Sequence, residues 1–78
     1  MERKDVLDRL LPIVRRTVRS KIQEIHEEDD FRDVLGFESL DMTLIAIRCE
    51  KEFNVVFNGE ELQIKKVGDL VDFIQGIK

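Results

Sequence analysis

The chain has one cysteine, one proline and one histidine, and no long apolar run. With a single thiol, Cys49 has no partner for an internal disulfide, so nothing points to an oxidising compartment. A membrane-spanning helix needs about 20 consecutive apolar residues, and no stretch approaches that. Charges interrupt the opening segment MERKDVLDRLLPIV, so it does not read as a signal peptide. A cytoplasmic location is the expectation. His26, the one imidazole, lies in a loop segment and cannot be argued into a Ser–His–Asp arrangement. Repeats, low-complexity tracts and alternating strand hairpins are all missing. The acidic run Glu27, Glu28, Asp29, Asp30 and Asp33, broken by Arg32, lacks the alternating oxygen ligands and fixed glycine of a calcium loop. It reads as a solvated charge run. The 78 residues make one domain, 1–78, that buries roughly 60–65% of its unfolded surface. A ligand pocket needs about 300 Å3 or more, which weighs against a self-sufficient enzyme.

Charge is present in quantity but unevenly placed. Residues 1–25 carry seven basic and four acidic side chains, a net +3, and residues 26–78 carry six basic and thirteen acidic, a net −7. Nucleic-acid binders concentrate basic charge, so no nucleic-acid partner is expected. The acidic part steers toward basic partners, an effect that weakens with salt.

Apolar periodicity predicts an all-α fold, a small bundle of three main helices plus one short helix, with a long loop between helices one and two. The first helix is expected from Arg3 to about Arg19, with Leu7, Leu10, Leu11, Val14 and Val18 on one stripe and Arg9 and Arg16 opposite. Pro12 is disfavoured in a helix interior. The stripe passes through it in phase, so one kinked helix is expected. Ser20 to Gly36 reads as the long loop, pinned by Ile22, Ile25, Phe31, Val34 and Leu35. Asn58-Gly59 is a turn signal, and Glu60 to Gln63 fits one short helical turn. Val55-Val56-Phe57 is the only β-like run, and alone it has no strand to pair with. Val67, Leu70, Val71, Phe73, Ile74 and Ile77 form a last helical stripe, with Asp69, Asp72 and Gln75 outside.

The segment LGFESLDMTLIAIRCEKEF, Leu35 to Phe53, organises the rest. It reads as a turn at Gly36, a polar helix start at Glu38-Ser39 and about four helical turns. At 100° per residue, Met42, Ile45, Ala46, Cys49 and Phe53 gather on one side. Leu40, Leu44 and Ile47 gather nearly opposite. Ser39, Thr43 and Glu50 form one polar seam, and Asp41, Arg48 and Glu52 the other. A small domain usually buries one face of a helix, so the second stripe calls for an explanation. It either packs under the long loop or serves as a partner-docking strip, since helix-in-groove recognition uses i, i+4, i+7 anchors. Cys49 lies on the core stripe and reads as a small core residue. Ser39 is either a helix N-cap or a modification site, where a phosphate ester would meet the N–H groups and dipole of a helix start. GFESL is not the nucleophile elbow GxSxG, and with no base a small hydrolase is poorly supported.

Leu35 to Phe53 resembles the Leu-Gly-x-Asp-Ser-Leu-(Asp) stretch and second helix of acyl carrier proteins. Asp30 to Leu35, DFRDVL, is similar to the loop before their serine, and Ile64 to Ile74, IKKVGDLVDFI, to their last helix. The likeness covers essentially the whole chain. It implies that Ser39 carries 4′-phosphopantetheine, installed from coenzyme A by a phosphopantetheinyl transferase with magnesium. The thiol of that arm then holds an acyl group as a thioester for acyl-transferring and chain-elongating enzymes, and the protein itself supplies no catalytic group. Such carriers are usually monomers.

Several positions depart from the family. Glu38 stands where aspartate is usual, Leu44 where an acidic residue is common, and Lys66 where the last helix usually follows a hydroxyl residue. Arg48 and Lys51 dilute the negative surface of the second helix. Glu38, Leu40, Asp41, Leu44, Ile47, Arg48 and Glu52 are the expected docking residues, in a small transient interface. Leu44, Arg48 and Lys51 suggest a specialised carrier and not the main fatty-acid carrier of its cell. A carrier of amino-acyl or polyketide units, and an unmodified helical adaptor using only Leu40, Leu44 and Ile47, are the alternatives.

Overall fold

The structure, a computed structural model, describes residues 2–18 and 24–76. Helix α1 spans Arg3–Thr17, α2 spans Ser39–Phe53, a 3₁₀ turn η1 spans Glu60–Gln63, and α3 spans Val67–Gln75. This is the all-α bundle expected, with the long connection between the first two helices. No strand forms among the described residues. Residues 54–57 run without regular structure, and an isolated β-bridge joins Asp30 to Lys66.

Helix α2 packs against α1 and η1, and α1 also packs against α3. The core draws Leu10 and Val14 from α1, Met42, Ile45 and Cys49 from α2, and Leu70 and Val71 from α3, with Phe31 and Phe57 from the connections. Asn54 ends α2 in the left-handed region at φ 56°. Gly76 ends α3 at φ 77°, and its N–H bonds the carbonyls of Asp72 and Phe73. A residue at positive φ after the last turn closes the orphan carbonyls of a helix end, and Asn and Gly are the types that tolerate it.

Helix α1 shows where periodicity misled. Its buried residues are Val6, Leu10, Ile13, Val14 and Thr17, a stripe rotated from the expected one. Leu7, Leu11 and Val18 are only partly buried against the core. The helix stops at Thr17, short of Arg19, which lies outside the described residues, as do Ile22 and Ile77. It runs through Pro12, whose ring faces solvent, so the missing N–H interrupts one backbone bond on the exposed side. In the connection, Ile25, Phe31 and Leu35 are buried as expected, but Val34 is exposed.

The connection is fastened to α3 by backbone bonds. Phe31 N–H donates to Lys65 O at 2.8 Å, Val67 N–H to Asp29 O at 3.1 Å and Gly68 N–H to Glu27 O at 2.9 Å. Arg3 closes this seam from outside. Its Nε donates to Glu27 Oε1 at 2.8 Å, and its terminal nitrogens reach Asp72, Gln75 and the carbonyl of Gly68. Gly68 makes room, because a Cβ there would lie 3.3 Å from Arg3 Nη2 and from Glu27 O. Hydrogen bonding to Glu27, then to Asp72, raises the guanidinium pKa further above its already high value. All three charged side chains are more than a third exposed, so solvent screens the gain. Arg3→Met is expected to cost about 1 kcal/mol in urea unfolding at low salt. The difference should shrink at high salt, and a salt-independent loss would contradict an ionic origin.

Candidate functional site

The approach to Ser39 is built by one turn. Asp30 Oδ1 accepts the N–H of Arg32 at 2.8 Å and of Asp33 at 2.9 Å. These bonds, Asp33 first, hold the Asp30 carboxyl below its usual range. The N–H groups of Val34 and Leu35 return to Asp30 O, and Phe37 N–H donates to Phe31 O at 2.8 Å. Gly36 sits at φ 73°, a conformation that favours glycine. The turn brings the Phe31 and Phe37 rings to 5.4 Å between centroids. With Leu35 they are buried, while Glu38, Ser39 and Leu40 stand exposed just beyond.

Glu38 holds the N-cap position and Ser39 is the first helical residue. Ser39 is therefore not the N-cap, which removes the plain capping reading of its hydroxyl. The cap bond runs in reverse, from Glu38 N–H to Asp41 Oδ2 at 2.8 Å, as in one half of a capping box. Helix α3 repeats the device, with Lys66 N–H donating to Asp69 Oδ2 at 3.1 Å. The Lys66 side chain has no acceptor to offer the first-turn N–H groups, so at this helix start the aspartate at the third helical position makes the one cap bond, to the Lys66 N–H. The first intrahelical bond is Met42 N–H to Glu38 O at 3.1 Å. A helix start leaves its first N–H groups without intrahelical acceptors. Ser39 and Leu40 thus present theirs beside an exposed hydroxyl, at the positive end of the helix dipole. Hydroxyl, N–H donors and dipole together suit a phosphate ester.

The seven expected docking residues separate into groups. Leu40 is 79% exposed, Leu44 39% and Ile47 47%, forming an outward strip at i, i+4, i+7. The described part of the long connection leaves them exposed. Glu38 is exposed beside them. Asp41 is a correction. At 5% exposure it is inside the fold, with its carboxylate bonded to the helix start. Arg48 turns toward α1, where Nη1 donates to Thr17 Oγ1 at 2.7 Å, and that buried hydroxyl donates to Ile13 O at 3.1 Å. Glu52 pairs with Arg9 at 2.7 Å, and the Arg9 guanidinium also lies 5.0 Å over the Phe53 ring. All three residues of that polar seam, Asp41, Arg48 and Glu52, thus carry contacts within the molecule. Asp41→Ala is expected to cost about 1–2 kcal/mol in thermal unfolding. A change under a few tenths would show that the Glu38 N–H finds another acceptor.

Two features of the neighbourhood have no clear sequence signal. Arg32 donates to the carbonyls of Leu62 at 2.9 Å and Ile64 at 3.3 Å, strapping η1 to the turn that precedes Ser39. Glu61 is buried on η1, although glutamate is rarely buried unless paired. Cys49 is buried as expected, and loss of hydration pushes its thiol up to about 12. It is not a nucleophile at neutral pH. Among the described residues no group of three His, Cys, Asp or Glu could hold a metal ion, and no helix is long and apolar enough to cross a membrane.

Residues 8–74 match the family described as phosphopantetheine attachment site. The acyl carrier protein of Coprothermobacter proteolyticus is 38% identical over 76 residues, covering 96% of this chain and 93% of that protein. The acyl carrier protein of Azobacteroides pseudotrichonymphae is 32% identical, over 90% of this chain and 85% of the relative. Acyl carrier protein 3 of Ralstonia nicotianae is 33% identical, over 96% of this chain and 87% of the relative.

Proposed function

The chain belongs to the phosphopantetheine attachment family and acts as an acyl carrier, and on that premise we propose that Ser39 is the residue bearing its 4′-phosphopantetheine. The observation that carries the reading is the exposed serine at the first position of α2, where a helix leaves its first N–H groups without intrahelical acceptors. In this reading a phosphopantetheinyl transferase joins Ser39 Oγ to the phosphorus of coenzyme A that bears pantetheine. The pyrophosphate bond breaks, and adenosine bisphosphate leaves. When bound, the arm supplies the thiol that holds the acyl group as a thioester. The chain's own share is to present the arm, not to catalyse. A tethered substrate is localised before each enzyme meets it, which lowers the entropic cost of the encounter. A monomeric, cytoplasmic, single-domain carrier is the form that suits this work. The test is intact mass after incubation with coenzyme A, magnesium and a transferase of broad specificity. Gain of one phosphopantetheinyl unit is expected, and no gain with several transferases would overturn the assignment.

Partner enzymes, in the same reading, dock on Leu40, Leu44 and Ile47, with Glu38 on the rim. Arg48 and Glu52 support the strip from behind through α1. Support comes from the exposure of three apolar anchors on one face, next to the attachment residue. An apolar strip where the family commonly carries acid selects a dedicated set of enzymes over the general fatty-acid set. Leu44→Glu is expected to weaken transfer to the cognate enzymes about tenfold, as loss of one buried apolar anchor would. It should leave the unfolding midpoint within about 0.5 kcal/mol of the wild type. Full activity of the wild type with general fatty-acid enzymes would sink the idea of a dedicated pathway.

A further inference from the structure

Among the described residues, the buried side-chain oxygen without a hydrogen-bond partner is Oε1 of Glu61. The residue is 8% exposed and sits on η1, against α2. A buried acceptor without a donor costs free energy, and more when it is ionised. The fold gives no return for that cost, since methionine would fill the position at similar volume. The arm of a carrier, by contrast, presents amide N–H and hydroxyl donors along its length, and its cargo can add another. Two observations describe a loosely held η1. It is held at its start by Glu60 N–H to Phe57 O at 3.0 Å, but the two bonds that follow are long, Leu62 N–H to Gly59 O at 3.4 Å and Ile64 N–H to Glu61 O at 3.3 Å, beyond the ordinary range of about 2.7–3.2 Å. It is slung between the buried side chains of Phe57 and Ile64, after two residues at positive φ, Asn58 and Gly59. Arg32 ties it to the turn leading to Ser39, in a molecule measuring 29 × 25 × 21 Å.

We infer that Glu61 is a positioning residue of the loaded carrier, its buried carboxylate accepting a hydrogen bond from an N–H or O–H of the arm or its cargo. The inference rests on attachment of the arm to Ser39. The experiment follows amide hydrogen exchange at Leu62 and Ile64 in wild type and Glu61→Met. Four forms are compared: unmodified, arm-bearing, saturated acyl and 3-hydroxyacyl, each verified by intact mass. In wild type, loading is expected to slow exchange about tenfold, the scale of one hydrogen bond to a charged group. In Glu61→Met the slowing should fall below twofold. Slowing with the arm alone assigns the donor to the arm. Slowing only in the 3-hydroxyacyl form assigns it to the cargo. Equal slowing in Glu61→Met, or none in any loaded wild-type form, overturns the inference. So does a lower melting temperature of unmodified Glu61→Met, because it would reveal a structural partner for the carboxylate. Absence of the mass gain is a different failure, since it removes the Ser39 assignment first and this inference with it.

Discussion

Ser39→Ala should take up no phosphopantetheine at all, while folding as the wild type does. Attachment is an all-or-none covalent event at one oxygen, so removing that oxygen leaves a residual that intact mass reads as zero. The rest of the site stays in place. The cap bond of α2 runs from Glu38 N–H to the Asp41 carboxylate and does not involve the serine hydroxyl. Ser39 is exposed, and alanine is the better helix former by a few tenths of a kcal/mol. The unfolding midpoint should therefore be equal or slightly higher. An adduct on Ser39→Ala would move the attachment to another hydroxyl, and the exposed Thr43 one turn on is the first to examine. Glu38→Asp serves as a second variant. It keeps the carboxylate, shortens it by one methylene and restores the residue usual in the family. If a given transferase reads that side chain directly, its rate should change. Complete loading should still be reached, because the hydroxyl is untouched.

The parts of the fold set by local chemistry were legible in the sequence. The start of α2 at Glu38-Ser39, the short turn at Glu60–Gln63 and the burial of Met42, Ile45, Ala46 and Cys49 all follow from spacing and turn residues. The outward strip of Leu40, Leu44 and Ile47 follows from the same spacing. What depends on pairing across the chain was not legible. Helix α1 has apolar residues over nearly half its circumference, wider than the stripe it buries, so periodicity alone could not choose Val6 and Ile13 over Leu7 and Leu11. That choice is made by where α2 and α3 lie. Asp41 looks like a surface acid in sequence. It is buried in this fold, with its carboxylate turned back to its own helix start. Arg48 and Glu52 look free until α1 supplies Thr17 and Arg9. The buried Glu61 has no sequence signal, since burial of a charge is an outcome of packing and not of pattern. For the proposed docking face, the consequence is a narrower and more apolar patch than the sequence suggested.

Phe31→Ala should produce the largest loss of stability, about 3–5 kcal/mol. Domains hold about 0.05–0.15 kcal/mol per residue, so this would consume a large part of what a chain of this size has. Phe31 is fully buried, and its ring meets Phe37 at 5.4 Å. Its N–H bonds Lys65 O and its carbonyl accepts from Phe37 N–H. One residue thus joins the connection to α3 and to the start of α2. Alanine keeps the backbone bonds but removes the ring that holds the turn against the core. The two failures, global stability and placement of Ser39, should therefore appear together. Urea unfolding should show a midpoint shifted far toward zero denaturant. Loading of Ser39 should slow in proportion to the population that keeps the turn. Phe37→Ala removes the other ring of the pair without Phe31's link to Lys65, so it should cost less. A loss under about 1 kcal/mol for Phe31→Ala would mean that Leu35 and Phe37 anchor the turn by themselves. The serine would then owe its position to α2 alone.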